Sequence, residues 1–230
     1  MTLRCLVDSL GGRSGPVTED DLEALYRPPR LPWLRVNMVS TLDGAANGES
    51  GKSGSINNEV DRMVFHALRT QCDAVVVGAG TARTERYREA EVPLVVVTHQ
   101  GQVPEQLREA APGKVLLATC ADSPGLDEAR ALLGEDQVLL AGDAQVDLPA
   151  IKAQLVERGL RNLLSEGGPH LLRDLVDSGA ADELTLTVVP RTIAGVHPRI
   201  LMGTAVDASF DLALLLEQDG TLLGRWLLRS

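Results

Sequence analysis

Short apolar runs alternate with amphipathic segments along most of this chain, and the alternation predicts its architecture. Parallel β-strands are buried on both faces and are joined by crossover helices. The order of segments therefore predicts a mainly parallel sheet with helices on both faces. The apolar runs interpreted as strands are 33–44, 74–79, 93–101, 114–120, 137–142 and 162–168. The segments interpreted as helices are 18–26, 56–71, 104–110, 125–133, 148–158 and 169–178.

The pattern changes towards the C-terminus. Neither segment 182–195 nor segment 208–230 has helical periodicity. The second contains the turn Asp219–Gly220, which favours a hairpin. We therefore predict an α/β fold with a mixed sheet, mainly parallel, that ends in an antiparallel C-terminal hairpin. Residues 33–230 are expected to form one domain, preceded by an N-terminal extension over 1–32 with one short helix that begins after Thr18.

Composition excludes several classes of function. The 230 residues carry a net charge of −10, which argues against non-specific nucleic-acid binding. Cys5, Cys72 and Cys120 form no C-x-x-C pair, and no histidine has a partner at metal-ligand spacing, so neither a metal site nor a disulfide framework is predicted. No apolar run has the length of a membrane span or a signal peptide, and we expect a cytoplasmic protein without a membrane partner.

Two glycine motifs resemble nucleotide-binding signatures without completing them. The segment 48–53 ends in Gly-Lys-Ser, but Ala46 replaces the first glycine of a P-loop. Gly78 and Gly80 follow an apolar strand as in a Rossmann domain, but Arg83 stands where the third glycine belongs. The second motif is either a glycine-containing turn from strand to loop or a nucleotide site of another fold.

Two further patterns could bind phosphate. Gly167-Gly168 lies between a strand and a helix that starts at Pro169, which would present backbone N–H groups to a pyrophosphate; the alternative is a tight turn. Arg62, His66 and Arg69 recur along one face of the helix over 56–71, where they either bind a phosphate or form a solvated surface.

Three segments together carry a family resemblance: "VNMVSTLDGAA", "INNEVDRMVFHALRTQCDAVVVGAGTAR" and "LLSEGGPHLLRDLVDSGAADELTLTVVPRTIAG". From about residue 33 to the C-terminus, the chain resembles the C-terminal reductase domain of the bifunctional RibD deaminase-reductase, which has a dihydrofolate reductase-like fold. The resemblance implies NADPH-dependent reduction of the ribose of a ribosylamino-pyrimidine 5′-phosphate to the ribitylamino product, of the 5-amino-6-(5-phosphoribosylamino)uracil reductase type in riboflavin biosynthesis. It also implies a homodimer.

The resemblance assigns roles to individual positions. Asp43 and Glu166 are its candidate catalytic residues, with Asp43 as a proton donor or orienting group. Ser53, Arg69 and Glu166 fall on substrate-binding positions. The cofactor-binding positions are Val39, Ser55, Gly78, Gly80, Thr81, Glu85, Thr98, Gly167, Gly168, Leu171 and Leu172.

The chain also departs from the family pattern. Ser55 replaces a frequent tryptophan, Glu85 replaces an aspartate, and the segment 82–92 differs from the usual acidic, proline-containing run. The deaminase zinc signatures are absent from this sequence. The resemblance therefore leaves open whether the substrate is reduced before or after deamination. A pteridine reductase and a non-catalytic NADPH-binding module remain alternative functions.

Overall fold

All β-strands within the described residues, 2–88 and 90–229 of a computed structural model, join one sheet. The strands are β1 (Arg4–Asp8), β2 (Gly15–Pro16), β3 (Trp33–Thr41), β4 (Ala74–Gly78), β5 (Leu94–Val97), β6 (Val115–Thr119), β7 (Val138–Leu140), β8 (Asn162–Ser165), β9 (Glu183–Val189), β10 (Phe210–Gln218) and β11 (Thr221–Leu228). The helices are α1 (Glu19–Leu25), α2 (Glu59–Gln71), α3 (Ala79–Glu85), α4 (Leu126–Leu133), α5 (Leu148–Glu157) and α6 (Pro169–Asp177).

The strand order is β2-β1-β10-β11-β9-β3-β8-β4-β5-β6-β7. Every pairing from β9 to β7 is parallel, and every pairing from β2 to β9 through β10 and β11 is antiparallel. The predicted mixed sheet with an antiparallel C-terminal hairpin is thus confirmed. Because β3 lies between β9 and β8, the first long strand of the predicted domain is at the centre of the sheet.

Helices cover both faces of the sheet, as predicted. One buried cluster contains side chains of α1, α2, α3 and α4, and a second contains those of α5 and α6 on the opposite face. Alternate residues of the parallel strands enter the two clusters: Val75 and Val77 contribute to the first, and Val76 contributes to the second. Because both faces of these strands are buried, their sequences are continuous apolar runs. No helix among the described residues is long and apolar enough to cross a bilayer.

Four elements differ from the sequence-based expectation. β1 and β2 were not predicted, because β1 lies near the sheet edge and only Cys5 of its residues is buried, which leaves no apolar alternation to detect. α3 follows β4 directly, although Gly80 lowers its helix propensity. The segment 104–110 forms only a 3₁₀ turn at Glu105–Leu107.

A buried ion cluster attaches α1 to the sheet. The carboxylate of Glu183 lies 2.5 Å from Nε of Arg35 and 2.9 Å from Nε of Arg225, and all three side chains are at most 3% exposed. The two guanidinium groups also donate to backbone carbonyls at the C-terminal end of α1, Arg35 to Tyr26 and Arg225 to Leu25. The N-terminal residues are therefore fixed to the same sheet that carries the site described below.

Candidate active site

A cleft of about 830 Å³ opens along the carboxyl ends of β3, β8, β4 and β5. In open α/β sheets this edge is where ligands bind, because loops that follow parallel strands meet there. Ten of the residues that the sequence analysis assigned to substrate or cofactor line the cleft: Val39, Ser53, Gly78, Gly80, Thr81, Glu85, Thr98, Glu166, Gly168 and Leu171. The sheet order thus brings together positions that lie far apart in the chain.

The two glycine-containing turns, after β4 and after β8, are in direct contact. The N–H of Gly78 donates to the carbonyl of Gly167 at 2.9 Å, and the Thr81 side chain lies against Gly168. A Cβ atom on Gly168 would come within 2.3 Å of Thr81 Oγ1, and one on Gly167 within 2.9 Å of Met38 Sδ. Both glycines are therefore required by close packing at this edge.

Two helices begin at this contact. Gly78 is the N-cap of α3 and Gly168 is the N-cap of α6, and neither cap forms a side-chain hydrogen bond. The first N–H groups of a helix have no intrahelical acceptor and carry a partial positive charge. The turns therefore present backbone donors to the cleft.

Glu166 and Arg69 form a bidentate ion pair beside the cleft. Arg69 Nε and Nη2 donate to the two carboxylate oxygens of Glu166 at 2.7 and 2.8 Å, and the Tyr87 hydroxyl donates to the same carboxylate. The Glu166 side chain is 3% exposed and that of Arg69 is 35% exposed. Burial and the Glu166 charge raise the pKa of Tyr87, so its hydroxyl stays protonated as a donor. Sequence reasoning did not identify Tyr87, because it lies in the segment that departs from the family pattern.

Ser53 and Glu85 also contact each other. The backbone N–H and the hydroxyl of Ser53 both donate to one carboxylate oxygen of Glu85, at 2.9 and 3.1 Å. This pair joins the loop before α2 to the end of α3. The residue assigned to substrate and the residue assigned to cofactor thus form one wall of the cleft.

Behind Tyr87 lies a second, basic groove. Its lining includes four cations and two acids, and it shares Glu85 and Tyr87 with the main cleft. The cations are Arg69, Arg86, Arg88 and Lys114, and the acids are Glu85 and Glu91. Of the three cations predicted along one face of α2, only Arg69 contacts Glu166. Arg62 and His66 are exposed to solvent away from the cleft. Arg69 therefore acts with residues of the α3 end rather than with its helical neighbours.

Four positions with assigned roles have other environments. Leu172 is fully buried in the core below α6, and the Ser55 hydroxyl bonds to the loop at Gly48 and Lys52. Gly167 contributes its carbonyl to the turn rather than to the cleft lining. Their cofactor-binding roles remain predictions from the resemblance, and this geometry favours supporting roles.

Asp43, the fourth, lies outside the cleft lining. Its carboxylate accepts hydrogen bonds from the Thr41 hydroxyl and from the N–H groups of Ile193 and Ala194. These donors, that of Thr41 first, lower the pKa of Asp43 to about 2. An acid of that pKa is ionised at neutral pH and holds no proton to donate. The geometry therefore favours a role in fixing the loop after β9.

Asp61, on the other hand, was not identified from the sequence and lies in the cleft. It is 6% exposed and lines the cleft together with Phe65, one turn further along α2, and Asn57, which precedes the helix. Burial raises the pKa of Asp61, although a hydrogen bond from Thr187 and the charge of Arg62 oppose the rise. The sequence analysis used only the apolar and cationic positions of this helix.

Comparison with known proteins identifies the family. The model of the RibD C-terminal domain matches residues 32–221. The chain belongs to the RibD C-terminal domain family. No group of three or more His, Cys, Asp or Glu side chains in the part of this chain that the structure describes is placed to hold a metal ion.

Members of the RibD C-terminal domain family resemble this chain over most of its length. A 2,5-diamino-6-ribosylamino-4(3H)-pyrimidinone 5′-phosphate reductase from Methanothermobacter thermautotrophicus is 28% identical over 203 residues, which cover 83% of this chain and 94% of that protein. The corresponding reductase from Archaeoglobus fulgidus is 29% identical over 71% of this chain and 83% of its own length. The crystal structure of a pyrimidine reductase-like protein from Corynebacterium diphtheriae superposes with a TM-score of 0.79 at 22% identity, covering 93% of this chain and 100% of that one, which supports the fold.

Proposed function

We propose that this chain is an NADPH-dependent reductase of riboflavin biosynthesis that converts a ribosylamino-pyrimidine 5′-phosphate into its ribitylamino product. The observation that carries the proposal is the cleft, in which the paired glycine turns and the Arg69–Glu166 pair occupy adjoining walls. Relatives that match over most of their own length are named as reductases of such a compound.

The glycine turns fit a dinucleotide. Because Gly168 lines the cleft and carries no side chain, a pyrophosphate can approach its backbone closely. Thr98 at the end of β5 and Leu171 on α6 would contact the remainder of the cofactor. When bound, NADPH supplies the hydride. His99 and Arg83 are exposed cleft residues near this end and no acidic residue ends β5, which suits a 2′-phosphate better than a free ribose.

The α2 side of the cleft fits the substrate. Phe65 and Asp61 line it. Arg69 lies one turn beyond Phe65 and two turns beyond Asp61 on the same helix. Asp61 and Arg69 are eight residues apart, or about 12 Å along an α-helix. A pyrimidine at one end and a ribose phosphate at the other would span this distance, and the basic groove adds Arg86, Arg88 or Lys114 to the phosphate end.

Glu166 would orient the reacting ribose. Its carboxylate is held by Arg69 and Tyr87, so its position in the cleft is fixed before a ligand enters. It accepts hydrogen bonds and can therefore align ribose hydroxyl groups, while the ion pair directs the Arg69 charge towards the basic groove. Tyr87 keeps this carboxylate in place from the α3 side.

One assay tests the proposed function. Purified protein is mixed with NADPH and, separately, with the 2,5-diamino-pyrimidinone compound, with its deaminated uracil counterpart and with dihydrofolate, and absorbance is followed at the nicotinamide band. We expect oxidation with a ribosylamino-pyrimidine phosphate and none with dihydrofolate. Tight NADPH binding without turnover of either pyrimidine would instead support the non-catalytic module.

Arg69→Ala tests the assignment of the phosphate end. We expect the substrate KM to rise about 10-fold or more, since a hydrogen-bonded cation contributes roughly 1.5–3 kcal/mol to binding. Arg62→Ala removes the same charge from the solvent face of the same helix and serves as the matched control. Because Arg69→Ala also leaves Glu166 without its partner, Arg69→Lys keeps the charge and separates folding from recognition. Equal KM values for the alanine variants would contradict the assignment.

The oligomeric state and location follow from the resemblance alone. We infer a homodimer in the cytoplasm. Sedimentation equilibrium of the purified chain measures its mass in solution, and a monomer at micromolar concentration would contradict the first inference. Cell fractionation tests the second.

A further inference from the structure

The carboxyl group of Asp61 is a buried acid without an ion-pair partner. It lines the cleft at 6% exposure, and none of the ion pairs among the described residues includes it. Its charged neighbour is Arg62, whose side chain is exposed and bonds to Asn57. A buried carboxyl that lacks a cation is destabilising unless donors satisfy its oxygen atoms.

The protein supplies only part of the required donors. The Thr187 side chain on β9 is near enough to Asp61 to lower the pKa of its carboxyl group, and no other side-chain donor to Asp61 is found among the described residues. Asn37 also lines the cleft; its Oδ1 accepts from Thr185, and no hydrogen bond from its amide to Asp61 is found among the described residues. A carboxylate has about four lone-pair sites. The remaining sites face the cleft, where a ligand rather than the protein can donate to them.

We propose that Asp61 recognises the amino group and the adjacent ring N–H of a 2-amino-4-pyrimidinone, and that it selects the substrate that has not been deaminated. The inference rests on the proposed function. It concerns one edge of the pyrimidine and decides between the two substrates that the family resemblance leaves open.

The two candidate substrates differ at this edge. In the 2,5-diamino-4(3H)-pyrimidinone, the 2-amino group and N3–H are adjacent donors, and a carboxylate can accept from both. In the deaminated compound a carbonyl replaces the amino group, so the same pose would bring a carbonyl oxygen against a carboxylate oxygen. Two acceptors that face each other in a buried site are unfavourable. The edge with two donors therefore matches Asp61.

The position of Asp61 suits this role. Phe65 lies one turn further along the cleft face of α2 and offers an aromatic surface to a flat heterocycle. Thr187, which bonds to Asp61, lies on β9, whereas Thr98 lies on β5. These strands are four places apart in the sheet, or about 19 Å at the usual strand spacing. Asp61 is therefore at the β9 end of the cleft, far from Thr98, where Val39 is the nearby position assigned to the cofactor.

Asp61→Asn provides the decisive variant. An asparagine has nearly the same shape, but it presents one acceptor and one donor, which match N3–H and the C2 carbonyl of the deaminated compound. For the parent protein we expect the diamino compound to bind at least 10-fold more tightly than the uracil compound. For Asp61→Asn we expect this ratio to fall by about 10- to 100-fold, because one hydrogen bond to a charged group is lost and a mismatch is relieved.

Isothermal titration calorimetry with each compound, in the absence of cofactor, measures the ratio whether or not turnover occurs. Glu59→Gln makes the same charge change on the exposed face of the same first helical turn and is the matched control. A parent protein that prefers the uracil compound, or an Asp61→Asn variant that weakens both compounds equally, would overturn the inference. Absence of NADPH oxidation with either compound would instead refute the proposed reductase activity, and the binding ratio would still decide the role of Asp61.

Discussion

Replacing Gly168 with alanine adds one methyl group at the contact between the two glycine turns. The backbone of Gly168 is extended, with φ −79° and ψ −166°, so alanine can adopt this conformation without strain. Space is the constraint, because the added Cβ would lie 2.3 Å from Thr81 Oγ1, whereas ordinary contacts begin near 3.4 Å. The two turns must therefore separate by about 1 Å, an overpacking that costs typically ~1–3 kcal/mol.

This cost is smaller than the stability of an ordinary domain, roughly 5–15 kcal/mol, so the variant should fold. The separation of the turns, however, moves the backbone donors that we assign to the cofactor. We expect the Kd for NADPH, measured by calorimetry, to rise about 10-fold or more. Urea unfolding of the same sample gives the loss of stability.

A second substitution isolates the collision. Thr81→Ala removes Oγ1 and leaves the nearest Thr81 atom, Cβ, 3.6 Å from the new methyl group. Thr81→Ala should therefore stabilise Gly168→Ala although it does not stabilise the parent, and a double-mutant cycle measures the difference. Gly80→Ala adds a methyl group to α3 with no atom within 4 Å and should be stabilising by up to ~1 kcal/mol. The steric argument is refuted if Gly168→Ala has the same free energy of unfolding as the parent. It is also refuted if Thr81→Ala does not stabilise Gly168→Ala.

Two further predictions concern stability. Glu183→Gln should lower Tm by roughly 10 °C in scanning calorimetry, because loss of one buried ion partner costs about 3–5 kcal/mol and each kcal/mol corresponds to about 2–4 °C at this chain length. Asp211→Asn is the control and should change Tm little, because both side chains of the Asp211–Arg229 ion pair are exposed. Asp43→Asn should destabilise the protein at neutral pH, since the pKa of Asp43 is about 2 in the folded state and 3.8 ordinarily. The ionised carboxylate stabilises the fold fully above the unfolded-state pKa, and this stabilisation disappears as pH falls towards 2. Acid unfolding followed by circular dichroism measures this difference, and a gap that stayed constant down to pH 2 would contradict the role of Asp43.

The Asp61 inference changes how the family resemblance is used. The resemblance assigns cleft residues to the substrate and to the cofactor, but it does not separate the two pyrimidines. That distinction depends on a single carboxyl group in the first turn of α2 and on its neighbour Thr187. The experiment with Asp61→Asn therefore addresses the order of reduction and deamination, independently of the phosphate end at Arg69.

Several features were predictable from the sequence because they depend on neighbours along the chain. The 3.6-residue period of Val60, Val64 and Leu68 predicts α2, and all three are buried in one cluster. Continuous apolar runs predict the parallel strands, and the turn Asp219–Gly220 predicts the hairpin of β10 and β11. The motif that contains Gly167-Gly168 predicts a strand–turn–helix unit, and α6 begins at the residue that follows it.

Other features depend on which strands become neighbours in the sheet, and no local pattern contains that information. Arg69 and Glu166 are 97 residues apart, and they form an ion pair only because β8 lies next to β4, the strand that follows α2. Asp61 looks like an ordinary polar residue of an amphipathic helix until β9 brings Thr187 against it and the cleft encloses it. Sequence periodicity therefore determined the helices and strands of this protein, whereas the order of strands in the sheet decided which polar groups face the ligand, because burial and hydrogen bonding are properties of residues that meet in space.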